Sequence, residues 1–441
     1  MTNTNNNAIY SNNLGYGVDE DLIIYEGKFG IYLDKKYKCS GIIYYKMNSP
    51  MTINFKGKIL HIEDYVYEQD LSYDNCIIDI YGYKPTYVTL SSINESILEG
   101  FINDHKIKSK NSFVDYVDFD IINFDNIAGN LIKFEEKLYA GRIEFYFKDY
   151  HIIIDKRYDY RKELKDELRN KNGFIITHTG RIIKRDKTKF KTHSIIDMLD
   201  IIAYSLTFIC GRNVGICSAK GYNNKENTYR LWLENLVTPF NYIPTWTDTI
   251  SNHHNIERFL GLMCTRLDDN YYSVALKRVI DWYVDCLNNI SLENNIISIQ
   301  VALESLSYII LVEKENIISK EQFDLNSASK NIKLTLNHLK ISYGHSELDF
   351  FDDDIRSRFD DGIDLVIYYR NKIVHPAIKN NDDSLTVEDI WNIIQIGTRY
   401  IELIILAFIS YKGEYSNRLN DRWYGEVELV PWINNNIRAE E

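Results

Sequence analysis

Three side chains in the C-terminal third of the chain have types and spacing that suit chemistry on a phosphodiester. Arg370, Asn371 and His375 lie within six residues, and Pro376 follows directly. Proline stops a helix and disfavours helical geometry at the preceding residue, so His375 is predicted at or just past a helix C-terminus. That end favours an imidazolium, and the planar guanidinium of Arg370 matches a phosphate. With no cluster of metal ligands beside them, these residues indicate metal-free phosphodiester chemistry.

A helix from Asp361 to His375 is predicted to carry these groups. Apolar residues recur along it at helical spacing, and Arg370 lies seven residues after Ile363 on the same stripe. A partly buried guanidinium must be paired or must face a functional cleft. The spacing alone leaves both interpretations open, and a structural pair of Arg370 with a carboxylate is the plainer one.

Glu304 is a second candidate, within a predicted helix from Ser291 to Glu315. It falls in line with Val301 and Tyr308, so it borders the packed face of that helix. We expect it to receive Arg370 or to orient His375. The alternative is a partly exposed glutamate whose aliphatic stem packs on its neighbours.

A basic segment stands apart from this motif. Arg181, Lys184 and Arg185 begin it, and three further lysines follow within six residues. Such a cluster predicts a surface that engages RNA or an acidic partner. The alternative is a solvated, twisted edge strand that its lysines protect from pairing with other chains. Phe190 is the one aromatic side chain nearby, so base stacking has little support there.

Composition limits the classes of function. The chain has 441 residues, enough for two or three domains, and a net charge of −12, which argues against a general nucleic-acid coat. Six cysteines without a CxxC pair predict buried free thiols. The N-terminus has no signal-peptide core, and the longest apolar run, Ile401 to Ile409 with Glu402 inside it, is too short to span a bilayer. A cytoplasmic protein without membrane, metal or cofactor is expected.

The chain is predicted to be an α+β protein in two parts. Residues 1–250 contain short β-branched and aromatic runs separated by turn residues, typical of a sandwich-like antiparallel β region. One hairpin is predicted from 142–147 and 151–154, and one helical segment at about 194–210. Residues 251–441 have helical periodicity throughout and predict an all-α bundle of four or five helices. The last helix is expected from Thr386 to Tyr411.

The motif also resembles a known family. Arg370-Asn371-Lys372-Ile373-Val374-His375 is similar to the Arg-Asn-x-x-x-His signature of HEPN domains, an all-α ribonuclease fold. Pro376, the segment Ala302-Leu303-Glu304 and the long final helix resemble the ApeA-like branch. In the N-terminal half, similarity to the ApeA β domain is carried by short segments at 40–45, 51–57, 88–90 and 206–212.

This resemblance implies an anti-phage abortive-infection effector. Residues 251–441 would be a metal-independent endoribonuclease that cleaves RNA, with transfer RNA as the habitual family substrate. The β-rich region would be a sensor that responds to a phage-derived activator. HEPN nucleases act as homodimers or higher homo-oligomers, with motif residues of both protomers lining one cleft.

The resemblance also implies a role for each motif residue. The ribose 2′-hydroxyl attacks the adjacent phosphorus and leaves a 2′,3′-cyclic phosphate. His375 would transfer the proton, Arg370 would stabilise charge on the phosphoryl oxygens, and Asn371 would hold the phosphate or the histidine. Lys372 would add positive potential, although a solvated helix lysine is its plainer reading.

Two other functions remain open from the sequence. A non-catalytic HEPN-type module would recognise a phage component as an oligomeric binder. A nucleotide-binding helical protein would use Arg370 to hold a ligand phosphate. The chain contains no glycine-rich phosphate loop, HExxH or Gly-x-Ser-x-Gly motif to support another enzyme class.

Overall fold

The computed structural model describes residues 6–64, 71–94, 96–247, 252–375, 385–420, 423 and 425–433. The chain divides into two compact units, one formed by Met1–Ala203 with Asn213–Tyr242 and the other by Tyr204–Arg212 with Ile243–Glu441. The first is rich in strands and the second in helices, so the α+β class is as predicted.

The first unit begins with a closed six-stranded barrel. Its strands are β1 (Leu22–Tyr32), β2 (Lys36–Lys46), β3 (Thr52–Glu63), β4 (Cys76–Ile80), β5 (Thr86–Ile93) and β6 (Ile97–Ile102), in the spatial order β1-β2-β3-β6-β5-β4. Neighbouring strands are antiparallel, and β4 pairs with β1 to close the ring. The prediction of a sandwich is therefore wrong for this part, because closure removes both sheet edges.

Alternating side chains explain the barrel interior. Every second residue of β2 points inward, and Cys39, Ile43 and Tyr45 are fully buried. Gly41 interrupts the bulky positions because a Cβ there would lie 2.0 Å from the carbonyl oxygen of Lys56. The close approach of β2 and β3 therefore requires glycine at this point.

An eight-stranded antiparallel sheet forms the rest of the first unit. Its order is β10-β11-β12-β13-β9-β15-β16-β7. In chain order, the strands and helices after the barrel are β7 (Lys106–Lys108), β8 (Phe113–Val114), β9 (Tyr116–Ile122), β10 (Asn130–Phe134), β11 (Lys137–Phe147), β12 (Tyr150–Lys156), α1 (Lys162–Lys171), β13 (Ile176–Lys184), β14 (Phe190–Lys191), α2 (Ile195–Cys210), β15 (Gly215–Asn223) and β16 (Glu226–Leu233). Helix α2 belongs to the first unit up to Ala203 and to the second unit from Tyr204 onward. The predicted hairpin is confirmed, since Phe147 of β11 pairs with Tyr150 of β12.

The N-terminal segment covers the edge strand β10 of this sheet. Lys133 donates its N–H to the Asn6 carbonyl at 2.7 Å, and Ala8 donates to the Lys133 carbonyl at 2.8 Å. The backbone N–H of Ile9 donates to the carboxylate of Asp155 at 2.8 Å. These bonds occupy backbone groups that an edge strand would otherwise leave open.

The second unit is a bundle around one central helix, α5. The elements are α3 (His253–Leu267), α4 (Ser273–Asn288), α5 (Leu292–Tyr308), α6 (Lys320–Leu325), α7 (Ala328–His338), α8 (Asp353–Arg358), α9 (Gly362–Val374), α10 (Val387–Phe408), β17 (Glu414–Tyr415) and β18 (Glu428–Leu429). Helix α5 continues as one π-helical stretch, Ile309–Lys314. It packs against α4, α7, α9 and α10.

Side-chain caps set the helix starts in this unit. Ser291 accepts from the Asn294 N–H, and Thr386 with Asp389 forms the complete capping box that begins α10. The helices predicted at 291–315, 361–375 and 386–411 are found within a few residues of those bounds. The helices α3, α6 and α8 were not predicted.

Three helical segments are long and apolar enough to cross a membrane by length and composition: Thr192–Cys210, Leu292–Lys314 and Val387–Phe408. Their most apolar windows are 61%, 61% and 72% buried inside the protein. The apolar faces of these helices are thus largely used in packing. All six cysteines are free and buried, as predicted.

Candidate functional site

Helix α9 presents the predicted motif, and its N-terminal end is firmly held. Asp361 caps the helix, accepting the backbone N–H groups of Ile363 and Asp364 at 3.0 Å each. The Lys333 ammonium lies 2.8 Å from Asp361 and 2.7 Å from Asp364. Burial opposes the positive charge of Lys333, but the two carboxylates outweigh it and raise its pKa. Charge pairing and capping therefore fix the direction of α9.

The buried face of α9 fixes its rotation. Ile363, Val366 and Tyr369 are almost completely buried, and the Tyr369 hydroxyl accepts a hydrogen bond from Arg358 Nη2 at 3.2 Å. The next residue, Arg370, is half-buried at the border of this face. The predicted apolar stripe is confirmed, with Arg370 at its margin.

Arg370 has an unusual environment for a partly buried cation. Its Nη1 donates to Asn371 Oδ1 at 3.1 Å, while Nε is buried and has no hydrogen-bond partner in the described part of the chain. No carboxylate of the described residues forms an ion pair with it. Two buried arginines of the same unit differ, since Arg399 pairs with Glu347 at 3.0 Å and Arg418 with Glu402 at 2.7 Å. The structural Arg–carboxylate pair is therefore not observed at Arg370.

His375 ends the helix, as predicted. It is the C-cap of α9, with φ −123° and ψ 66°, and its N–H donates to the Asn371 carbonyl at 2.8 Å. Its side chain and that of Asn371 are exposed. Pro376, which motivated the prediction, lies outside the described residues. One helix end thus carries a guanidinium, an amide and an imidazole that a ligand can reach.

Glu304 does not have the expected contact. It is half-buried on α5, and its Oε1 accepts a hydrogen bond from Gln300 Nε2, one turn earlier. Among the described side chains it forms no bond with Arg370 or His375. Gln300 is buried and is closer in sequence than either expected partner, so the local i,i+4 pair is the one that forms. A catalytic role for Glu304 stays a prediction.

Lys372 lies beside the motif on α9. Its ammonium is 6.0 Å from the centre of the Tyr369 ring, and its side chain is half-buried. This position is compatible with a cation–π contact that holds the lysine stem along α9. Its predicted contribution to RNA binding stays untested.

The basic segment of the first unit has a structural explanation. Arg181 donates through Nε and Nη2 to both carboxylate oxygens of Asp118, at 2.6 and 2.8 Å, and lies 4.2 Å from the centre of the Tyr116 ring. Burial opposes its charge, but Asp118 outweighs this effect and raises the Arg181 pKa. An RNA phosphate would have to compete with this bidentate partner.

Two further members of that segment lie at the end of β13. Lys184 is the last residue of β13, and the Arg185 guanidinium lies 4.8 Å from the centre of the Tyr146 ring. The edge-strand interpretation is wrong, because β13 lies between β12 and β9 inside the sheet. Asp118 of β9 lies opposite Arg181 in the pairing of β9 with β13. The sequence does not reveal this strand register.

The charged anchor of α9, formed by Asp361, Asp364 and Lys333, was not predicted from the sequence. Asp361, followed by the helix-starting Gly362 and by Asp364, is a recognisable N-cap signal. Lys333 comes from α7, and the pairing with it depends on tertiary packing. A cap search would have found the first part of this anchor, whereas the second requires the fold.

Two protein-family models match parts of this chain. Residues 109–243 match the YopA central domain family, and residues 269–429 match the YopA C-terminal domain family. Neither match names a HEPN or ApeA family, so that resemblance stays a prediction from the motif. The C-terminal match contains α9 and both of its charged ends.

A relative covers almost the whole chain. The SPbeta prophage-derived uncharacterized protein YopA of Bacillus subtilis (strain 168) is 28% identical over 437 residues, which span 97% of this chain and 98% of the relative. No solved structure matches this chain. In its central and C-terminal domains, and along nearly its full length, the chain is therefore similar to YopA.

Proposed function

We propose that this chain is a metal-independent endoribonuclease of the HEPN type that acts in the cytoplasm as an anti-phage effector. The observation that carries the proposal is the environment of Arg370. This half-buried cation has no carboxylate partner among the described residues and lies on the same helix end as the exposed His375. A cation without a carboxylate partner among the described residues is suited to an anionic ligand, and RNA phosphate fits its planar donors.

The proposed reaction is transesterification at phosphorus. The 2′-oxygen forms a bond to phosphorus while the bond from phosphorus to the 5′-oxygen breaks, giving a 2′,3′-cyclic phosphate and a 5′-hydroxyl. His375 takes the 2′-hydroxyl proton, and the corresponding histidine of a second protomer gives a proton to the leaving oxygen. Arg370 stabilises the charge on the phosphoryl oxygens, and Asn371 positions the Arg370 guanidinium through the observed hydrogen bond.

Assembly into a homodimer is part of the proposal. Tyr368 and Val374 of α9 are 42% and 41% exposed, and they flank Arg370 in sequence. Val374 lies four residues after Arg370, on the same side of the helix. Apolar surface beside a polar motif supports contact with a second copy, which would place two such motifs around one RNA strand.

The defence context of the proposal starts from the origin of the relative. Its printed name describes it as prophage-derived. We extend that origin to this chain: a prophage gene that destroys RNA on infection would protect the resident phage against competitors. The β-rich first unit would then be the regulatory part that responds to a phage component.

RNA-end sequencing tests the proposal in cells that produce the chain, before and during phage infection. We expect new 5′-hydroxyl and 2′,3′-cyclic phosphate ends with the wild type and none with Arg370→Ala or His375→Ala. His338→Ala is a matched control, because His338 is also an exposed histidine in the last turn of a helix. Arg278→Ala, at an exposed arginine of α4, is the control for Arg370. Equal RNA ends in wild type and His375→Ala would contradict the proposal.

A non-catalytic binding module is the second candidate. The position of Glu304 favours it, since Glu304 bonds Gln300 and no carboxylate of the described residues is bonded to His375. Protection of cells by His375→Ala at the wild-type level, without new RNA ends, would select this candidate over the ribonuclease.

A further inference from the structure

Two histidines and a glutamate gather at the first turn of α3. The possible ligand atoms of His253, His254 and Glu257 all lie within 4.8 Å of one another. His254 Nδ1 is 2.8 Å from Glu257 Oε2, and the two imidazole rings have their centres 4.1 Å apart. The cluster lies outside the motif of α9 and has no part in the proposed ribonuclease chemistry.

Other histidine–glutamate pairs show what is different here. His105 lies 2.8 Å from Glu234, and His151 lies 2.9 Å from Glu144. Neither pair has a further histidine, cysteine or carboxylate within ligand distance among the described residues. Two donors make a hydrogen-bonded pair, whereas three on one side of a cation make a coordination site.

Local structure holds the three donors in place. His253 and Glu257 are four residues apart and so lie on one side of α3, the spacing that helices use to chelate a metal. Asn252 caps the helix by accepting the His254 N–H at 3.1 Å. Asn255 donates to Glu414 at 3.0 Å, which fixes the same turn from outside the helix.

The chemistry of the donors selects the ion. We propose that His253, His254 and Glu257 bind one divalent transition-metal ion, with Zn²⁺ as the best match. Two imidazoles and one carboxylate are a frequent zinc ligand set, whereas Mg²⁺ and Ca²⁺ prefer oxygen ligands alone. Bonds of about 2.0–2.2 Å place such donors roughly 3–4 Å apart, so side-chain shifts of about 1 Å complete the site.

The exposure of the donors agrees with this assignment. The His254 side chain is 66% exposed and gives the ion a path from solvent, while Glu257 is 15% exposed. The helix N-terminus opposes a cation, and the Glu257 carboxylate offsets this effect. The remaining coordination positions are open to water or to another ligand.

Zinc titration of tag-free protein, stripped with a chelator, tests the site. Wild type is expected to bind one Zn²⁺ per chain, and His253→Gln, His254→Gln and Glu257→Gln to bind it at least about tenfold more weakly. His105→Gln is the matched control, since it removes an exposed histidine of a two-donor pair, and it should bind as wild type does. Saturating Zn²⁺ should raise the Tm of wild type by about 2–4 °C.

Cobalt gives a second readout that does not depend on stability. Co²⁺ bound to wild type should show visible absorption bands, and each of the three substitutions should remove them. Because His254 is largely exposed, His254→Gln should keep the fold, which circular dichroism verifies. Zinc affinity in the three variants equal to that of wild type, or no stoichiometric uptake by wild type, would overturn the assignment.

Discussion

Arg181 in the sheet and Arg370 at the end of α9 are two partly buried arginines with opposite environments. Arg181 has both carboxylate oxygens of Asp118 within 2.8 Å. Arg370 bonds only a neutral amide, that of Asn371, among the described residues. From the sequence, Arg181 was a candidate RNA-binding residue and Arg370 a candidate catalytic residue. The comparison teaches that the partner, rather than the residue type, separates a structural cation from one that can bind a ligand.

The same contrast exists along α9 itself. At its first turn, Asp361 and Asp364 are paired with Lys333. At its last turn, Arg370 and His375 have no ionic partner among the described residues. The charges at the first turn of α9 are thus neutralised by ion pairs, whereas the positive charge of Arg370 at the last turn has no counter-charge among the described residues. Four predictions test this contrast.

The largest expected effect is on catalysis. His375→Ala and Arg370→Ala should each lower RNA cleavage by about 10²–10⁴-fold, because they remove proton transfer and charge stabilisation. Their free energy of unfolding should stay within about 0.5 kcal/mol of wild type, since neither side chain has an ionic partner among the described residues. Cleavage assays and urea unfolding of the same preparations measure both. A large loss of stability in Arg370→Ala would show that the arginine is structural after all.

The opposite result is expected at Arg181. Arg181→Met should destabilise the protein by about 3 kcal/mol, because it leaves the Asp118 carboxylate buried without its partner. Cleavage per folded molecule should not change. The control is Arg185→Met, an exposed neighbour that stacks on Tyr146, with an expected loss below about 0.5 kcal/mol. Equal stability of the two variants would remove the distinction between the arginines.

A substitution in the charged anchor of α9 should have a smaller effect on the unfolding free energy. Asp361→Ala removes two cap hydrogen bonds and one partner of Lys333, so we expect a loss of about 1–2 kcal/mol in unfolding free energy. Asp360→Ala changes the exposed preceding aspartate and is the control. Should both substitutions prove equally mild in urea unfolding, capping would not be what holds this end of the helix.

The smallest expected effect is a loss of the stabilising contribution of Lys333 at alkaline pH. The pKa of Lys333 is raised in the folded state by Asp361 and Asp364. Its contribution, about 0.5–1 kcal/mol for a partly exposed pair, is therefore full below the unfolded pKa of about 10.4 and is lost as pH rises through the folded value. The stability difference between wild type and Lys333→Met should be constant from neutral pH to about pH 10 and shrink above it. A difference that grows above pH 10 would reverse the assigned sign.

Local signals carried most of the correct predictions. Pro376 and the apolar stripe placed the end of α9, and the capping box placed the start of α10. These features depend on residues close in sequence. The sequence did not reveal barrel closure, because β4 pairs with β1 across more than forty residues. Nor did it reveal the partner of Arg181, since strand order decides which side chains meet.

The candidate site followed the same rule. Its position on one helix end was predictable, whereas the bond of Glu304 to Gln300 depends on a choice between a local and a distant partner. The cluster at His253 was also not predicted, because the sequence does not show that α3 begins at these two adjacent histidines. The spacing of residues in the sequence predicted where the motif side chains lie, whereas tertiary packing determined which partners they have.

The segment Asn6–Ile9, which lies along β10, has a practical consequence for anyone producing this protein. Deleting these residues, or displacing them with a bulky fusion at that end, would uncover the hydrogen-bonding groups of Lys133 and take a backbone donor from Asp155. The bared strand would then recruit strands of other molecules, and soluble yield would fall. Purification handles are therefore better placed at the opposite terminus.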